Sequence, residues 1–221
     1  MSKMKSLLMA ALIVTPLSIY ADGMGLYVPV SFGDTETRNY DNGSIDVSYD
    51  SGIGFGITYD SNLGEGHLYN YRLAIEYMDQ DVSNANTITK TEYNIIQTFG
   101  FGVYNNEHVR VFVGPQLHLK TAMHSFNGQT DSSDIQVGIG LAGVVGVNYS
   151  FNKYFALAAD LNYKRVGTFG GDADTYTTTN QGFSARFYAY VKFGETYQGK
   201  SAPTDNDSSS DNNTAEDNAF E

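Results

Sequence analysis

Apolar and polar residues alternate along the segment that ends at Phe193. Every second residue is apolar, namely Phe183, Ala185, Phe187, Ala189, Val191 and Phe193. The residues between them are polar or amphipathic, namely Ser184, Arg186, Tyr188, Tyr190 and Lys192. Successive side chains of a β-strand point to opposite faces of the sheet. The pattern therefore predicts a strand of about ten residues with lipid on one face and water on the other.

Seven earlier segments repeat this alternation, so the chain predicts eight strands. Their apolar series begin at Leu26, Ile53, Tyr69, Tyr93, Val109, Ile135 and Phe155. The opposite face of these segments carries glycines and charged or amide side chains, such as Gly54, Asn70, Gly138 and Asn162. A soluble barrel would have an apolar interior, whereas here the small and charged face must line the inside of a narrow barrel. We therefore expect an all-β fold, a transmembrane antiparallel up-and-down β-barrel of eight strands.

The connections between the predicted strands are alternately short and long. Short turns are predicted at residues 60–66, 105–108 and 150–154, and long polar loops at residues 34–51, 79–90, 121–134 and 167–181. Barrels of the outer membrane have short periplasmic turns and longer external loops, so the long loops are predicted to lie outside the cell. In the first loop, Ile45, Val47 and Tyr49 stay in phase with the outward-facing Ile53 and Phe55. We expect a protruding sheet there, and a disordered loop is the alternative.

The two ends of the chain differ in composition from the part between them. Lys3 and Lys5 precede a short apolar run at residues 7–17, which is shorter than the roughly 20 residues of a membrane-spanning helix. Residues 1–21 are therefore predicted to be a secretory signal peptide and residues 22–197 the barrel. Residues 198–221 contain six acids against Lys200 and are predicted to be a disordered acidic tail in the periplasm.

The overall composition excludes several classes of protein. The formal net charge of -12 argues against nucleic-acid binding, which requires a basic surface. The chain has no Cys, which excludes disulfides and thiolate metal sites, and no cofactor or metal site is predicted. The predicted external loops contain many acidic residues and only two basic ones, Arg38 and Lys90. The acidic residues are Asp34, Glu36, Asp41, Asp46, Asp50, Asp79, Asp81, Asp131, Asp134, Asp172 and Asp174. These acids either keep the loops soluble or bind divalent cations that bridge to lipopolysaccharide.

Six charged residues are predicted to point into the lumen by strand alternation. They are Arg72, Glu76, Arg110, Asp160, Lys164 and Arg186. A charge buried without a partner costs several kcal/mol, so we expect these groups to form an ion-pair network in which Arg186 contacts Asp160 or Glu76. Inward glycines leave room for the long arginine side chains. A wet lumen whose side chains do not touch is the alternative.

With these features in view, residues 22–193 resemble the small eight-stranded outer-membrane proteins, namely the transmembrane domain of OmpA, OmpX and the opacity-type adhesins. The resemblance depends on the signal peptide, the strand count, the alternating connections and the last strand, in which Phe183, Phe187, Val191 and Phe193 resemble the family's C-terminal assembly signal. It implies a monomer in the outer membrane of a Gram-negative bacterium, in contact with lipid, lipopolysaccharide and the assembly machinery. It also implies a structural or adhesion-type role, with an extracellular ligand as a possible partner.

Two other functions remain as alternatives. A narrow, low-conductance porin-like channel would pass small solutes, although eight strands enclose space for little more than side chains. A lipid A-modifying enzyme would need a Ser- or His-based site at the outer rim. His124 and Ser125 lie near that rim, but adjacent residues of a strand point to opposite faces. We therefore predict that the protein is not an enzyme.

Overall fold

The computed structural model describes residues 23–40, 43–61, 68–84, 88–126, 129–170 and 176–193. The predicted signal peptide and acidic tail lie outside the described residues. The strands are β1 (Gly23–Tyr40), β2 (Gly43–Ser48), β3 (Gly52–Ser61), β4 (Tyr69–Asp81), β5 (Ile88–Asn105), β6 (Val109–Phe126), β7 (Gln129–Ser150), β8 (Phe155–Gly170) and β9 (Tyr176–Lys192). No helix in the described part of the chain is long and apolar enough to cross a membrane.

The strands form one antiparallel sheet that closes on itself. The order along the sheet is β2-β1-β3-β4-β5-β6-β7-β8-β9, and β1 also pairs with β9. Strand β3 pairs with β1 at residues 23–31, and β2 pairs with the same edge of β1 at residues 35–40. The two short strands therefore form one barrel strand, interrupted at residues 49–51, and the ring has eight strands. The predicted fold class is confirmed.

The strands are tilted, as barrel closure requires. Following paired residues once around the ring leads from Leu26 through seven strands to Thr37, eleven positions further along β1. One of these positions belongs to an irregularity between Phe32 and Thr35, where Gly33 has a φ of 65°. The shear of about ten for eight strands corresponds to a tilt in the usual range of roughly 35–45°.

The burial pattern is that of a membrane barrel. Leu26, Phe55 and Leu141 are each about two-thirds exposed on the outer face. Buried side chains on the inner face are largely charged, amide or hydroxyl groups, with Arg72, Arg110 and Arg186 among the largest. The outward apolar face and inward polar face predicted from the alternation are therefore confirmed.

The long connections predicted as loops are mostly strand, and their predicted extent was wrong. Strands β1 and β6 continue to Tyr40 and Phe126, while β5 and β9 already begin at Ile88 and Tyr176. These extensions are rich in Thr, which favours extended backbone. Pairing with the neighbouring strand satisfies their backbone groups beyond the membrane.

The first connection is the protruding sheet that the sequence predicted, but its facing was predicted wrongly. Tyr49 is buried inside the barrel, whereas Ile53 faces outward. Val47 pairs with the buried Glu36, so Val47 and Tyr49 share the inward face. The cause is the break at residues 49–51, which shifts the alternation by one residue.

Candidate functional site

Arg72 lies at the centre of a charged cluster in the lower half of the lumen, towards the short turns. Its Nε donates to Asp60 Oδ2 at 2.8 Å, Nη1 donates to Asp160 Oδ2 at 3.0 Å and Nη2 donates to Asn148 Oδ1 at 3.0 Å. The guanidinium carbon also lies 4.3 Å from the ring centroid of Tyr188. Arg72 thus crosses the lumen from β4 and joins β3, β7, β8 and β9.

Arg186 forms the second half of this cluster. Its Nε donates to Glu76 Oε2 at 2.8 Å, and its Nη1 lies 3.6 Å from Asp160 Oδ1. Asp160 and Arg186 are direct partners in the β8–β9 register. The other oxygen of Glu76 accepts from Asn94 Nδ2 at 3.2 Å. Asp160 is therefore shared by Arg186 of the neighbouring strand and by Arg72, which reaches it across the lumen.

The other two predicted lumen residues are Arg110, which is the register partner of Asn148, and Lys164. Arg110 is buried on the inner face near the short-turn end of β6. Lys164 lies higher in the barrel, where its Nζ is 3.3 Å from Asp34 Oδ2 and 3.8 Å from Glu92 Oε2. The structure therefore joins Arg72, Glu76, Asp160 and Arg186 directly, and it gives Lys164 partners that the sequence did not predict.

Above the Arg72 cluster, three lysines surround Glu92. Lys90 Nζ and Lys120 Nζ lie 2.7 Å and 2.5 Å from Glu92 Oε1, and Lys164 is the third. Lys120 also donates to Asn180 Oδ1 at 3.2 Å. We define Asp34, Lys90, Glu92, Lys120 and Lys164 as the upper cluster. In the sequence, Glu92 shares a strand face with Asn94, and Lys120 shares a strand face with His118. This shared inward face was the signal that would have identified the core of the upper cluster.

At the outer mouth, Glu36, Arg38, Tyr49 and His124 form a hydrogen-bonded group. Glu36 accepts from Arg38 Nε at 2.8 Å and from Tyr49 OH at 2.9 Å. Arg38 Nη2 and Tyr49 OH lie 3.1 Å and 3.2 Å from His124 Nε2. Because guanidinium can only donate, His124 accepts the hydrogen bond from Arg38. Burial and the Glu36 carboxylate raise the pKa of Tyr49, so its hydroxyl remains a donor.

This group lies beyond the stacked rings of Phe32 and Phe183 that end the apolar face of β1 and β9. Burial would raise the pKa of the Glu36 carboxyl, but the surrounding cations, with Lys90 and Arg38 the strongest, lower it below its ordinary value. Asp34, Glu36 and Lys90 were predicted to lie on external loops. That prediction was wrong for all three, because the extended strands turn them into the barrel.

On the inner face, glycines leave room for aromatic side chains of the neighbouring strand. A Cβ at Gly56 would lie 2.3 Å from the Tyr27 ring, and one at Gly146 would lie 2.3 Å from the Phe112 ring. Both distances are far below van der Waals contact. These two inward glycines therefore make space for the rings, and the room for arginine side chains stays a prediction.

The described residues include His124 and Ser125, which the sequence raised as a candidate pair at the outer rim. His124 points inward and Ser125 outward, so these neighbours cannot act as base and nucleophile on one substrate. Within the described ranges no three His, Asp or Glu side chains are grouped so that they could hold a metal ion. The carboxylates of the Arg72 cluster and the upper cluster each lie beside a cation, which stabilises their charge and makes the arrangement suited to locking strands together.

Comparisons with known proteins agree with this architecture. The protein OprG of Pseudomonas aeruginosa superimposes with a TM-score of 0.55 at 13% identity, covering 79% of this chain and 97% of OprG. AlkL and Neisserial surface protein A give TM-scores of 0.44 and 0.42 at 14% and 19% identity; they cover 80% and 76% of this chain, and 93% and 97% of their own chains. The OprG superposition supports the fold alone. Comparison with curated protein sequences gave no significant match.

The family model described as "Opacity family porin protein" matches residues 64–187. This range begins before β4 and ends within β9, and it includes most of the residues that fill the lumen. It covers more than half of the chain. The chain therefore belongs to the Opacity family of porin proteins and is a β-barrel of the outer membrane of a Gram-negative bacterium.

Proposed function

We propose that this barrel is a non-enzymatic surface-interaction protein whose lumen is closed by ion pairs. The observation that carries the proposal is the sharing of Asp160 by Arg72 and Arg186. Arg72 reaches from β4 across the lumen to Asp160 on β8, so its side chain lies in the path that a solute would have to take. The outer strand ends are then the part of the protein available for function.

The balance of lumen charges supports closure. The described residues buried inside, together with the partly buried Arg38, comprise seven cations and six carboxylates. The cations are Arg38, Arg72, Lys90, Arg110, Lys120, Lys164 and Arg186, and the carboxylates are Asp34, Glu36, Asp60, Glu76, Glu92 and Asp160. This near balance inside a chain of net charge -12 is expected when buried charges are paired.

The outer strand ends support a surface-interaction role. Ile45 and Phe126 are each 58% exposed, and Tyr40 is also exposed. Tyr40 and Phe126 each lie two residues beyond the Arg38–His124 contact, so both face the mouth from opposite strands. Large apolar side chains that group together in water mark contact surfaces. An adhesion-type contact at the mouth would cover them.

A narrow channel is the second candidate, because several lumen atoms lack a protein hydrogen-bond partner. Among the described residues these include Tyr27 OH, Tyr190 OH, Asn162 Oδ1 and Ser184 Oγ. Buried polar atoms of this kind are usually satisfied by water. A chain of such waters would give the lumen a residual path for small ions.

Planar-bilayer recording of the purified barrel separates the two candidates. The wild type is expected to give no stable conductance steps, whereas the double variant Glu76→Gln and Asp160→Asn is expected to give them because the arginines lose their carboxylates. The exposed periplasmic variant Glu107→Gln is the control. Stable, reproducible steps from the wild type would favour the channel and contradict closure.

Surface interaction is tested with bacteria that express the barrel and are applied to epithelial monolayers. The double variant Ile45→Asn and Phe126→Asn is expected to be retained less well than the wild type. Tyr104→Asn, which changes an exposed side chain on the short-turn side, should have no effect. Equal retention of all three would remove the adhesion role, and a changed acyl pattern in mass spectra of lipid A would contradict the non-enzymatic assignment.

A further inference from the structure

A groove of about 180 Å³ lies on the outward face of β4, β5 and β6, close to their outer ends. It is lined by Tyr77, Thr91, Tyr93, Met123 and Ser125. Tyr77 pairs directly with Tyr93, and Thr91 with Met123, so the five side chains are neighbours on three adjacent strands. The groove lies outside the barrel and is separate from the lumen.

The lower wall of the groove is aromatic. The rings of Tyr77 and Tyr93 meet edge to face with centroids 5.4 Å apart, and Tyr93 is 47% exposed. The face of an aromatic ring carries partial negative charge and attracts cations. Two residues below this pair, on the same face, lie the apolar Ile75 and Ile95, so the groove is at the upper edge of the lipid-facing surface.

A carboxylate is fixed beside this aromatic wall. Asp79 Oδ2 accepts from Tyr77 OH at 2.5 Å, and Asp79 Oδ1 accepts from Thr91 Oγ1 at 2.7 Å. Asp81 is the next outward residue of β4 and accepts from Thr89 Oγ1 at 2.8 Å. The outward positions of the described parts of β4, β5 and β6 contain no Lys or Arg. The Asp79 carboxylate therefore lies beside the groove without a Lys or Arg on these outward positions.

We propose that this groove binds the ammonium head group of a lipid in the outer leaflet. The ammonium would lie between the Tyr93 ring and the Asp79 carboxylate. The acyl chains of the same lipid would lie along the apolar surface formed by Ile95 and Leu119. A head group of a few heavy atoms matches the volume, which is that of roughly six water molecules. A divalent cation fits less well, because it needs several oxygen ligands with carboxylates among them, and the five lining residues are neutral.

Lipid retention measured by native mass spectrometry tests the proposal. The purified barrel in detergent is mixed with equal amounts of phosphatidylethanolamine, phosphatidylglycerol and monogalactosyldiacylglycerol that carry the same acyl chains. The ethanolamine lipid is expected to be retained about fivefold better than the other two, because its ammonium gains one cation–π contact with Tyr93 and one exposed ion pair with Asp79. Equal retention would overturn the proposal, and preference for the galactolipid would assign the groove to a sugar instead.

Variants separate the groove from general effects of charge and aromatic residues. Asp79→Asn and Tyr93→Leu should each reduce the preference for phosphatidylethanolamine to nearly one. Tyr163→Leu removes an exposed outward tyrosine from β8, and Asp46→Asn removes an exposed acid from β2. Both controls should leave the preference unchanged. If Asp46→Asn lowers it as much as Asp79→Asn does, the preference comes from overall charge and the site is refuted.

Discussion

Replacing Asp160 by Asn is expected to destabilise the barrel through the loss of one charge. The carboxylate accepts from Arg72 Nη1 at 3.0 Å and from Tyr188 OH at 2.5 Å, and it lies 3.6 Å from Arg186 Nη1. The amide has nearly the same volume, so no cavity is created. It is neutral, however, and its NH2 group adds donors where three donors already converge.

The size of the effect follows from what the two arginines retain. Removing one partner of a buried ion pair costs about 3–5 kcal/mol when the remaining charge is left alone. Here Arg72 keeps Asp60 at 2.8 Å and Arg186 keeps Glu76 at 2.8 Å. We therefore expect a loss of about 2–3 kcal/mol in the free energy of unfolding, from one weakened charge-assisted hydrogen bond and the desolvated arginines. Asp160→Ala should cost more because it also leaves a cavity.

The assay is urea unfolding of the purified barrel in detergent, followed by the shift between folded and unfolded bands on gels without boiling. Glu107→Gln is a suitable control, since Glu107 is exposed in the turn between β5 and β6. The urea midpoint should fall for Asp160→Asn and stay unchanged for the control. If both variants unfold at the wild-type midpoint, the arginines do not depend on Asp160 and the ion-pair network does not hold the lumen together.

Two further predictions concern space and pH. Gly146→Leu should prevent refolding or lower the urea midpoint strongly, because the new side chain would overlap the Phe112 ring. Gly143→Leu is the control: this position is on the outward face of the same strand, a side chain there meets nothing within 4 Å, and the variant should fold normally. Equal behaviour of the two variants would contradict the packing around Phe112. The pKa of Glu36 is lower in the folded protein than the ordinary carboxyl pKa of about 4.3. The contacts of the Glu36 carboxylate therefore stabilise the outer sheet fully above the ordinary pKa, and this stabilisation is lost as the pH falls through the lowered pKa of the folded protein. The protection factors of the β2 amides, which correct for the intrinsic pH dependence of exchange, should therefore fall at low pH in the wild type, and Glu36→Gln should show low protection at every pH. Wild-type protection factors that do not change with pH would contradict this role.

The sequence by itself determined which face of each strand meets lipid. The alternation from Phe183 to Phe193 has a period of two residues, which strand geometry sets. The outward side chains meet lipid and the inward ones meet polar groups, and this difference in polarity is large enough to be visible in the sequence of each strand. Strand number, antiparallel order and the inward direction of Arg72 and Arg186 followed from the same pattern, because each is a property of a strand and its immediate neighbours.

Only the tertiary structure decided how far the strands continue and which charges meet. Glu36 and Lys90 look like loop residues in the sequence, yet pairing with neighbouring strands extends β1 and β5 and turns both side chains inward. Arg72 and Asp160 are 88 residues apart, and their contact depends on the tilt and shear with which the sheet closes. A shift of register by one residue reverses the facing of a strand, as the interruption beside Tyr49 does, and such shifts are set by pairing across the sheet rather than by the local pattern.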